Sequence, residues 1–182
     1  MAREAPREHM IIAFIGLGTM GAPMAKCLAA VGIDLCVYDI DARACAAFSD
    51  TPNCRIAASP CDAAKNARVL ITMLPESHHV YDAILGEEGA IGSLVPGAIV
   101  VEMSTGSLPD LKILETALLA RGVRLVDAPV GRSPKEAANG SLLVLAGGAE
   151  SDLTEVAPLL KILGNEIIYN GPLGSCLLYT SD

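Results

Sequence analysis

Three glycines near the start of the chain have the spacing of a loop that binds a phosphate group. They lie in the segment G-L-G-T-M-G, which follows the apolar run Ile11–Ile15 and opens a predicted helix. Gly16 permits a tight turn, Gly18 lets the backbone approach a pyrophosphate, and Gly21 lets the helix pack closely on the strand. The pyrophosphate would meet the positive end of the helix dipole. The predicted pyrophosphate-binding residues are therefore Gly16, Gly18, Thr19, Met20 and Gly21.

An acidic residue follows the next predicted strand, 35–38. Asp39 ends this strand and lies 18 residues after Gly21. A carboxylate in this place accepts hydrogen bonds from the ribose hydroxyls of an adenosine and repels a 2′-phosphate. Because no Arg follows before Arg43, the pattern favours NAD over NADP. The glycine loop and the carboxylate, in this order, predict a binding site for a dinucleotide.

The same residues allow other interpretations. A P-loop is excluded because the sequence lacks G-K-[ST] after the glycines. A methyltransferase loop remains an alternative, although it does not require the third glycine. In the plainest alternative the glycines form a structural turn, and Asp39 is a turn residue.

Residues after two later strands extend the predicted cleft. Leu74 and Pro75 end one predicted strand, and Ser104 and Thr105 follow the strand Ile99–Glu102. Ligands of open parallel sheets bind beyond the carboxyl ends of the strands. We therefore expect Leu74, Pro75 and Thr105 to line the nicotinamide side of a cofactor cleft and Ser104 to contact a substrate. The alternative for Ser104 and Thr105 is that they cap the following helix.

The elements that would position these residues alternate between strand and helix. Short apolar runs predict the strands, and apolar residues at helical spacing predict the helices. This alternation predicts an α/β fold, a Rossmann-type, doubly wound, mostly parallel sheet with helices on both faces. The predicted strands are 11–15, 35–38, 55–58, 69–74, 99–102, 124–126, 142–145 and 167–169, and the predicted helices are 20–31, 42–48, 60–67, 108–121 and 153–163.

The composition excludes several other classes of protein. Of 182 residues, 52% are hydrophobic and 19% are charged, which is too apolar for a disordered chain. With 13 Lys and Arg against 21 Asp and Glu, the net charge is -8, whereas a nucleic-acid binder carries a basic face. No apolar run approaches the ~20 residues that span a bilayer. We expect neither a nucleic-acid nor a membrane partner.

The six cysteines form no C-x-x-C pair and no metal-ligand pattern with histidine, so no metal site is predicted. We expect reduced thiols that pack as small hydrophobic residues in a cytoplasmic protein, rather than a disulfide framework. Residues 1–9 have charges of both signs and no apolar core of a signal peptide. They are predicted to be a loose extension.

Two separated motifs resemble the β-hydroxyacid dehydrogenase family, which includes 3-hydroxyisobutyrate dehydrogenase. The first is G-L-G-T-M-G-A-P-M-A-K at residues 16–26, and the second is D-A-P-V-G at residues 127–131, followed by G-S-L at 140–142 and A-G-G at 146–148. The resemblance covers residues 10–175. It implies a domain that binds NAD and hydride transfer between nicotinamide and a small hydroxyacid or semialdehyde; the preference for NADH over NADPH comes from Asp39. It also implies that the full-length form is a homo-oligomer.

One departure from the family pattern concerns the substrate. Most members have Ser-Gly-Gly after D-A-P-V, whereas this chain has Gly131, Arg132 and Ser133. The variant resembles the branch that contains 3-sulfolactaldehyde reductase, in which the matching Arg grips the substrate sulfonate. A guanidinium offers a planar fork of donors to sulfonate, phosphate or carboxylate oxygens. Gly131 and Arg132 are therefore predicted to bind a small anionic substrate; the alternative is a solvated Arg in a loop.

The resemblance also implies that the catalytic residue lies outside this chain. In the family, a Lys at the start of a second, helical domain acts as the general acid. Cys176 stands where the family has Gly, and Thr180 stands where the Lys belongs. Segment 176–182 is similar to translated sequencing adapter, and we expect it to be a non-native tail. Residues 10–175 would then be an NAD-binding domain that is inactive alone; the rival hypothesis is a non-catalytic module that binds or senses NAD.

Overall fold

A sheet forms the centre of the protein and has nine strands within residues 10–179, the part of the chain that the computed structural model describes. Six of them lie side by side in the order β3-β2-β1-β4-β5-β6 and are parallel. Because the winding changes direction between β1 and β4, a crevice opens beyond the carboxyl ends of these two strands. The six strands are β1 (Ile11–Ile15), β2 (Asp34–Tyr38), β3 (Cys54–Ile56), β4 (Ala67–Thr72), β5 (Ile99–Glu102) and β6 (Arg124–Asp127).

The sheet continues beyond β6 with a change of direction. The remaining strands are β7 (Val130–Gly131), β8 (Leu142–Gly147) and β9 (Gly164–Gly171). Strand β8 is antiparallel to β6 and β7, and β9 is parallel to β8. Asp127 at the end of β6 pairs with Gly147 at the end of β8. The hairpin of β7 and β8 therefore extends past the carboxyl edge of β6, toward the side on which the crevice opens.

Helices cover both faces of the sheet, as the sequence predicts. Side chains of β1 alternate between two cores, with Ile12 and Phe14 in one and Ala13 and Ile15 in the other. The first core also contains residues of α1 and α7, and the second contains residues of α3, α4 and α5. The helices are α1 (Gly21–Ala30), α2 (Ala42–Ala46), α3 (Pro60–Ala64), α4 (Ser77–Leu85), α5 (Leu108–Leu119), α6 (Pro134–Ala138) and α7 (Glu150–Leu163).

Helix α3 begins where the local sequence predicts, but it ends earlier than predicted. The Ser59 side chain accepts a hydrogen bond from the Asp62 backbone, and Pro60 occupies the first helical position, as predicted. The helix ends at Ala64 rather than near residue 67. Lys65 adopts an extended conformation and Asn66 a left-handed one, with φ of 63°, so the chain turns directly into β4.

The segment predicted to be a non-native tail begins inside the folded structure. Cys176 is fully buried, and its thiol donates to the Leu145 carbonyl over 3.2 Å. Residues Ser175–Tyr179 form a 3-10 turn. The predicted extension 1–9 and residues 180–182 lie outside the described residues. No helix within residues 10–179 is long and apolar enough to cross a membrane, and the six cysteines are free thiols.

Candidate functional site

The loop between β1 and α1 has a conformation that two of its three glycines make possible. Gly16 has a φ of +100°, and a Cβ there would lie 2.1 Å from the Met73 carbonyl oxygen. A Cβ on Gly21 would lie 1.8 Å from the Gly16 carbonyl oxygen. Gly18 is exposed, and a Cβ there would meet no atom within 4 Å. The fold therefore requires Gly16 and Gly21, whereas Gly18 leaves open space against the backbone that a ligand can enter.

The first turn of α1 has no side-chain cap. Met20 is its N-cap residue and makes no side-chain hydrogen bond. The first turns of α4 and α7 also have no side-chain cap, whereas side-chain oxygens of Asp41, Ser59, Ser107 and Ser133 cap α2, α3, α5 and α6. Thr19 and Met20 lie at this open end, with Thr19 exposed. Within this turn the Ala22 N–H donates to the Gly18 carbonyl over 3.1 Å, and Pro23 has no N–H. Because the positive end of the helix dipole attracts an anion, this end suits a phosphate group.

Asp39 lies beside the glycine loop and is hydrogen-bonded to it. The Leu17 N–H donates to its Oδ2 over 2.6 Å, and the Asp41 N–H donates to its Oδ1 over 2.8 Å. An ionised carboxylate can accept about four hydrogen bonds, so two lone-pair sites remain for ribose hydroxyls. The Arg43 guanidinium is bound by the Asp41 carboxylate, with Nε 3.2 Å from Oδ1.

A cleft of about 290 Å³ joins the carboxyl ends of β1, β2 and β4. It brings three predicted residues together, Gly16, Asp39 and Leu74, with Ile40 beside them. The Ile40 side chain is 93% exposed, so an apolar group projects into solvent next to the Asp39 carboxylate. These features fit a dinucleotide. The other lining residues are Ile15, Tyr38, Pro60, His79, Asp82, Ala83 and Glu88.

The remaining predicted residues lie outside that cleft. Pro75 and Thr105 are exposed, and Ser104 is buried with its Oγ accepting a hydrogen bond from the Leu74 N–H over 2.8 Å. The interpretation of Ser104 and Thr105 as helix caps is wrong, because Ser107 caps α5. Ser104 instead ties the loop after β5 to the loop after β4.

Two buried carboxyl groups stand beneath these loops, and sequence reasoning missed them as a pair. Glu102 ends β5 and Asp127 ends β6, and the two residues are direct register partners. Glu102 Oε1 accepts from the Ser104 N–H over 2.8 Å and from the Thr72 hydroxyl over 3.4 Å. Burial raises the pKa of Glu102 to about 7, and the nearby Asp127 contributes. The available signal was an acidic residue at the ends of two consecutive predicted strands.

Asp127 is 1% exposed, and its two carboxylate oxygens differ in their hydrogen bonds. Its Oδ1 accepts from the Gly174 N–H over 3.0 Å. Its Oδ2 is buried and has no hydrogen-bond partner within residues 10–179. Burial raises the pKa of Asp127 as well. Both carboxyl groups line a small cavity of about 30 Å³ that also reaches Ser104.

Arg132 lies in the loop between β7 and α6 and has a left-handed backbone, with φ of 82°. Its Nη1 donates to the Ser141 carbonyl over 2.6 Å and to Asn165 Oδ1 over 2.7 Å, and its Nη2 donates to the Glu166 carboxylate. The guanidinium is thus held in place rather than free in solvent. Its Nε–H and one Nη2–H make no hydrogen bond to the part of the protein that the structure describes, so they remain as donors. Gly131 lies in β7, opposite Leu143 of β8.

Known proteins are similar to this chain in sequence. Residues 11–171 match the family described as the NAD binding domain of 6-phosphogluconate dehydrogenase. The chain is 40% identical over 166 residues to 3-sulfolactaldehyde reductase of Escherichia coli (strain K12), with 90% of this chain and 54% of that protein covered. It is 34% identical over 164 residues to mitochondrial 3-hydroxyisobutyrate dehydrogenase of Homo sapiens, with 90% and 48% covered.

A solved structure of a similar protein has the same architecture. The 3-hydroxyisobutyrate dehydrogenase of Mycobacterium tuberculosis, with L-serine, superposes with a TM-score of 0.86 at 29% identity. The match covers 94% of this chain and 57% of that chain. This chain therefore spans about half the length of the curated relatives it matches. The likeness to β-hydroxyacid dehydrogenases noted in the sequence is confirmed.

Proposed function

Because the chain belongs to the family described as the NAD binding domain of 6-phosphogluconate dehydrogenase, we propose that it is the cofactor-binding part of an NAD-dependent oxidoreductase. The substrate would be a small anionic 3-hydroxyacid or semialdehyde. One observation carries the proposal: Gly16, Asp39 and Leu74 meet in one cleft, next to the uncapped first turn of α1. Parallel-sheet proteins bind nucleotides at such a place.

The roles of the residues follow from their positions. The backbone at Gly18 and the first turn of α1, with Thr19 and Met20, would hold the pyrophosphate, because open space at Gly18 lies next to the positive end of the helix dipole. Asp39 would accept the ribose hydroxyls. Leu74, Pro75 and Thr105 would line the nicotinamide side, beyond the ends of β4 and β5. When bound, the nicotinamide supplies or accepts the hydride.

We also propose that NADH is preferred over NADPH. The Asp39 carboxylate would lie where a 2′-phosphate has to fit, and two like charges at that distance repel. Arg43, the nearest cation along the chain, is already paired with Asp41. Its guanidinium is therefore a weaker counter-charge for a phosphate than a free one would be.

On the substrate side we propose Ser104, Gly131 and Arg132. Arg132 is held by Ser141, Asn165 and Glu166 and keeps two donor N–H groups, which suits a carboxylate or a sulfonate. The general acid would be the Lys that the family carries in its helical domain. Residues 10–175 alone would then bind the cofactor without turnover, because proton transfer and exclusion of water both need that domain.

Titration of the chain with NADH and NADPH tests the cofactor proposal. We expect NADH to bind with the fluorescence change of a nicotinamide entering an apolar cleft, and NADPH to bind more weakly. Failure to bind either nucleotide would overturn the proposal. In a form that carries the family's helical domain, NADH-dependent reduction of a semialdehyde supports an oxidoreductase. Binding without turnover in that form would instead favour a module that senses NAD.

A further inference from the structure

Three carboxylates line the proposed cofactor cleft, although a dinucleotide is itself an anion. They belong to Asp39 after β2, to Asp82 of α4 and to Glu88 in the loop after α4. Among the described residues that line this cleft, none is Lys or Arg. In the proposed binding mode, the ribose beside Asp39 belongs to the adenosine, which has no negative charge and several hydrogen-bond donors. The charge of the cleft therefore fits the adenosine rather than the pyrophosphate.

Helix α4 brings the second of these carboxylates to the cleft. His79, Asp82 and Ala83 all line it, because residues three and four positions apart lie on the same side of a helix. The Asp82 side chain is exposed. The Asp82 backbone carbonyl accepts from the Gly86 N–H over 3.0 Å, so the helix still holds this residue at its last turn. Asp82 is therefore a fixed part of the cleft wall.

The loop after α4 brings Glu88 to the same cleft. The Glu88 backbone carbonyl accepts from the Cys61 N–H over 2.9 Å, which holds the loop against the start of α3. Burial raises the pKa of the Tyr38 hydroxyl in the cleft wall. The Cys45 thiol and the carboxylates of Glu88 and Asp39 raise this pKa further. Glu88 and Asp39 are thus close enough to one hydroxyl group to act on its charge.

The Asp82 and Glu88 carboxylates match the donor group of adenine. Its 6-amino group has two N–H donors, and an ionised carboxylate only accepts hydrogen bonds. Within residues 10–179, the side chains of Asp82 and Glu88 make no hydrogen bond or ion pair, so their acceptor sites remain available. Ile40, Pro60 and Ala83 give the same cleft apolar groups on which the faces of a purine can pack. The pyrophosphate lies beyond the ribose from the amino group, and salt weakens its repulsion over that distance.

We propose that Asp82 and Glu88 are specificity-determining residues that accept hydrogen bonds from the 6-amino group of adenine. The cleft then selects an adenine dinucleotide over one whose purine has a carbonyl group at this position. In hypoxanthine, an oxygen replaces the amino group, so its lone pairs would face the two carboxylates and both would lose their donors. A site built to bind a donor discriminates strongly against an analogue that lacks it. The inference rests on the proposed cofactor cleft and adds recognition of the base.

Titration of the chain with NADH and with reduced nicotinamide hypoxanthine dinucleotide tests the proposal. The two compounds differ only at position 6 of the purine and in the proton on the adjacent ring nitrogen. We expect the hypoxanthine compound to bind about tenfold more weakly, the scale of one good contact to a base. The double variant Asp82→Asn, Glu88→Gln carries amides, which accept from an amino group and also donate to a carbonyl oxygen. Its two affinities should therefore be close to equal.

Glu87→Gln is the matched control, because it removes a carboxylate from an exposed neighbour of Glu88 that does not line the cleft. It should keep the ratio of affinities of the unmodified chain. Equal affinity of the unmodified chain for the two dinucleotides, or an unchanged ratio in the double variant, would overturn this inference and leave the proposed function standing. Failure of the unmodified chain to bind either dinucleotide would overturn both.

Discussion

The backbone N–H of Leu17 donates to Oδ2 of Asp39 over 2.6 Å, so the glycine loop after β1 and the acidic end of β2 form one hydrogen-bonded unit. The sequence pattern treats them as two separate contacts to two parts of a dinucleotide. In the structure, the carboxylate that faces the proposed ribose position also fixes the loop that faces the pyrophosphate. Substitution of Asp39 should therefore disturb both contacts together.

Two substitutions of Asp39 separate its charge from its hydrogen bond to the loop. Asp39→Ala loses both, and we expect NADH affinity to fall by about tenfold or more, since a hydrogen bond to a charged group contributes about 1.5–3 kcal/mol. Asp39→Asn can still accept from the Leu17 N–H but no longer repels a 2′-phosphate. It should lose less affinity for NADH and bind NADPH better than the unmodified chain does.

Binding titrations with both nucleotides measure these effects. Asp50→Asn removes one negative charge from an exposed position after α2 and is the matched control. It should leave the ratio of the two affinities unchanged. An unchanged ratio in Asp39→Asn would show that Asp39 does not decide between NADH and NADPH.

Substitutions of Gly18 and Gly21 distinguish effects on NADH binding from effects on the stability of the fold. Gly18→Ala adds a methyl group that meets no atom of the protein within 4 Å, so the melting temperature should stay unchanged while NADH binding is lost. Gly21→Ala places a Cβ 1.8 Å from the Gly16 carbonyl oxygen and should destabilise the fold by about 1–3 kcal/mol. Thermal unfolding and NADH titration of both variants check this. Full NADH binding by Gly18→Ala would contradict the proposed approach of the pyrophosphate.

Local patterns were sufficient to predict the parallel half of the sheet. Strands Ile11–Ile15 and Ile99–Glu102 have the bounds that the sequence predicts, because each is a short apolar run between turn or helix signals. The Ser59 cap of α3 is equally local. The hairpin of β7 and β8 was missed, because β7 has only two residues and its pairing is set by contacts that no local pattern records.

Local sequence patterns also predicted only those parts of the candidate site that depend on spacing along the chain. The glycines and Asp39 follow from spacing along the chain, whereas the pairing of Glu102 with Asp127 depends on the register of β5 against β6. The hydrogen-bond partners of Arg132 also could not be predicted from the sequence. Asn165 and Glu166 are 33 and 34 residues further along the chain and meet it only through the pairing of β8 and β9.

The raised pKa of Glu102 predicts how stability depends on pH. A carboxyl group with a pKa of about 7 in the folded state, above the ordinary 4.5, stabilises the fold fully at low pH and loses this contribution as the pH rises through 7. Glu102→Gln does not titrate. Its stability relative to the unmodified chain should therefore rise between about pH 5 and pH 8.5, by an amount on the order of 3 kcal/mol. Urea unfolding at the two pH values measures the change, and a constant difference would contradict a protonated Glu102.

The fixed guanidinium of Arg132 predicts a difference between substrates. In a form of the protein that carries the family's helical domain, Arg132→Ser should lower kcat/KM for a sulfonate-bearing semialdehyde by about a hundredfold, since a charge-assisted bidentate contact is lost. Glu166→Gln leaves the contacts to Ser141 and Asn165 and removes a negative charge beside the anion, so KM should fall. Arg121→Ser removes an exposed Arg from the turn after α5 and should change neither value. Equal, small losses for sulfonate and carboxylate substrates in Arg132→Ser would show that Arg132 does not bind the substrate.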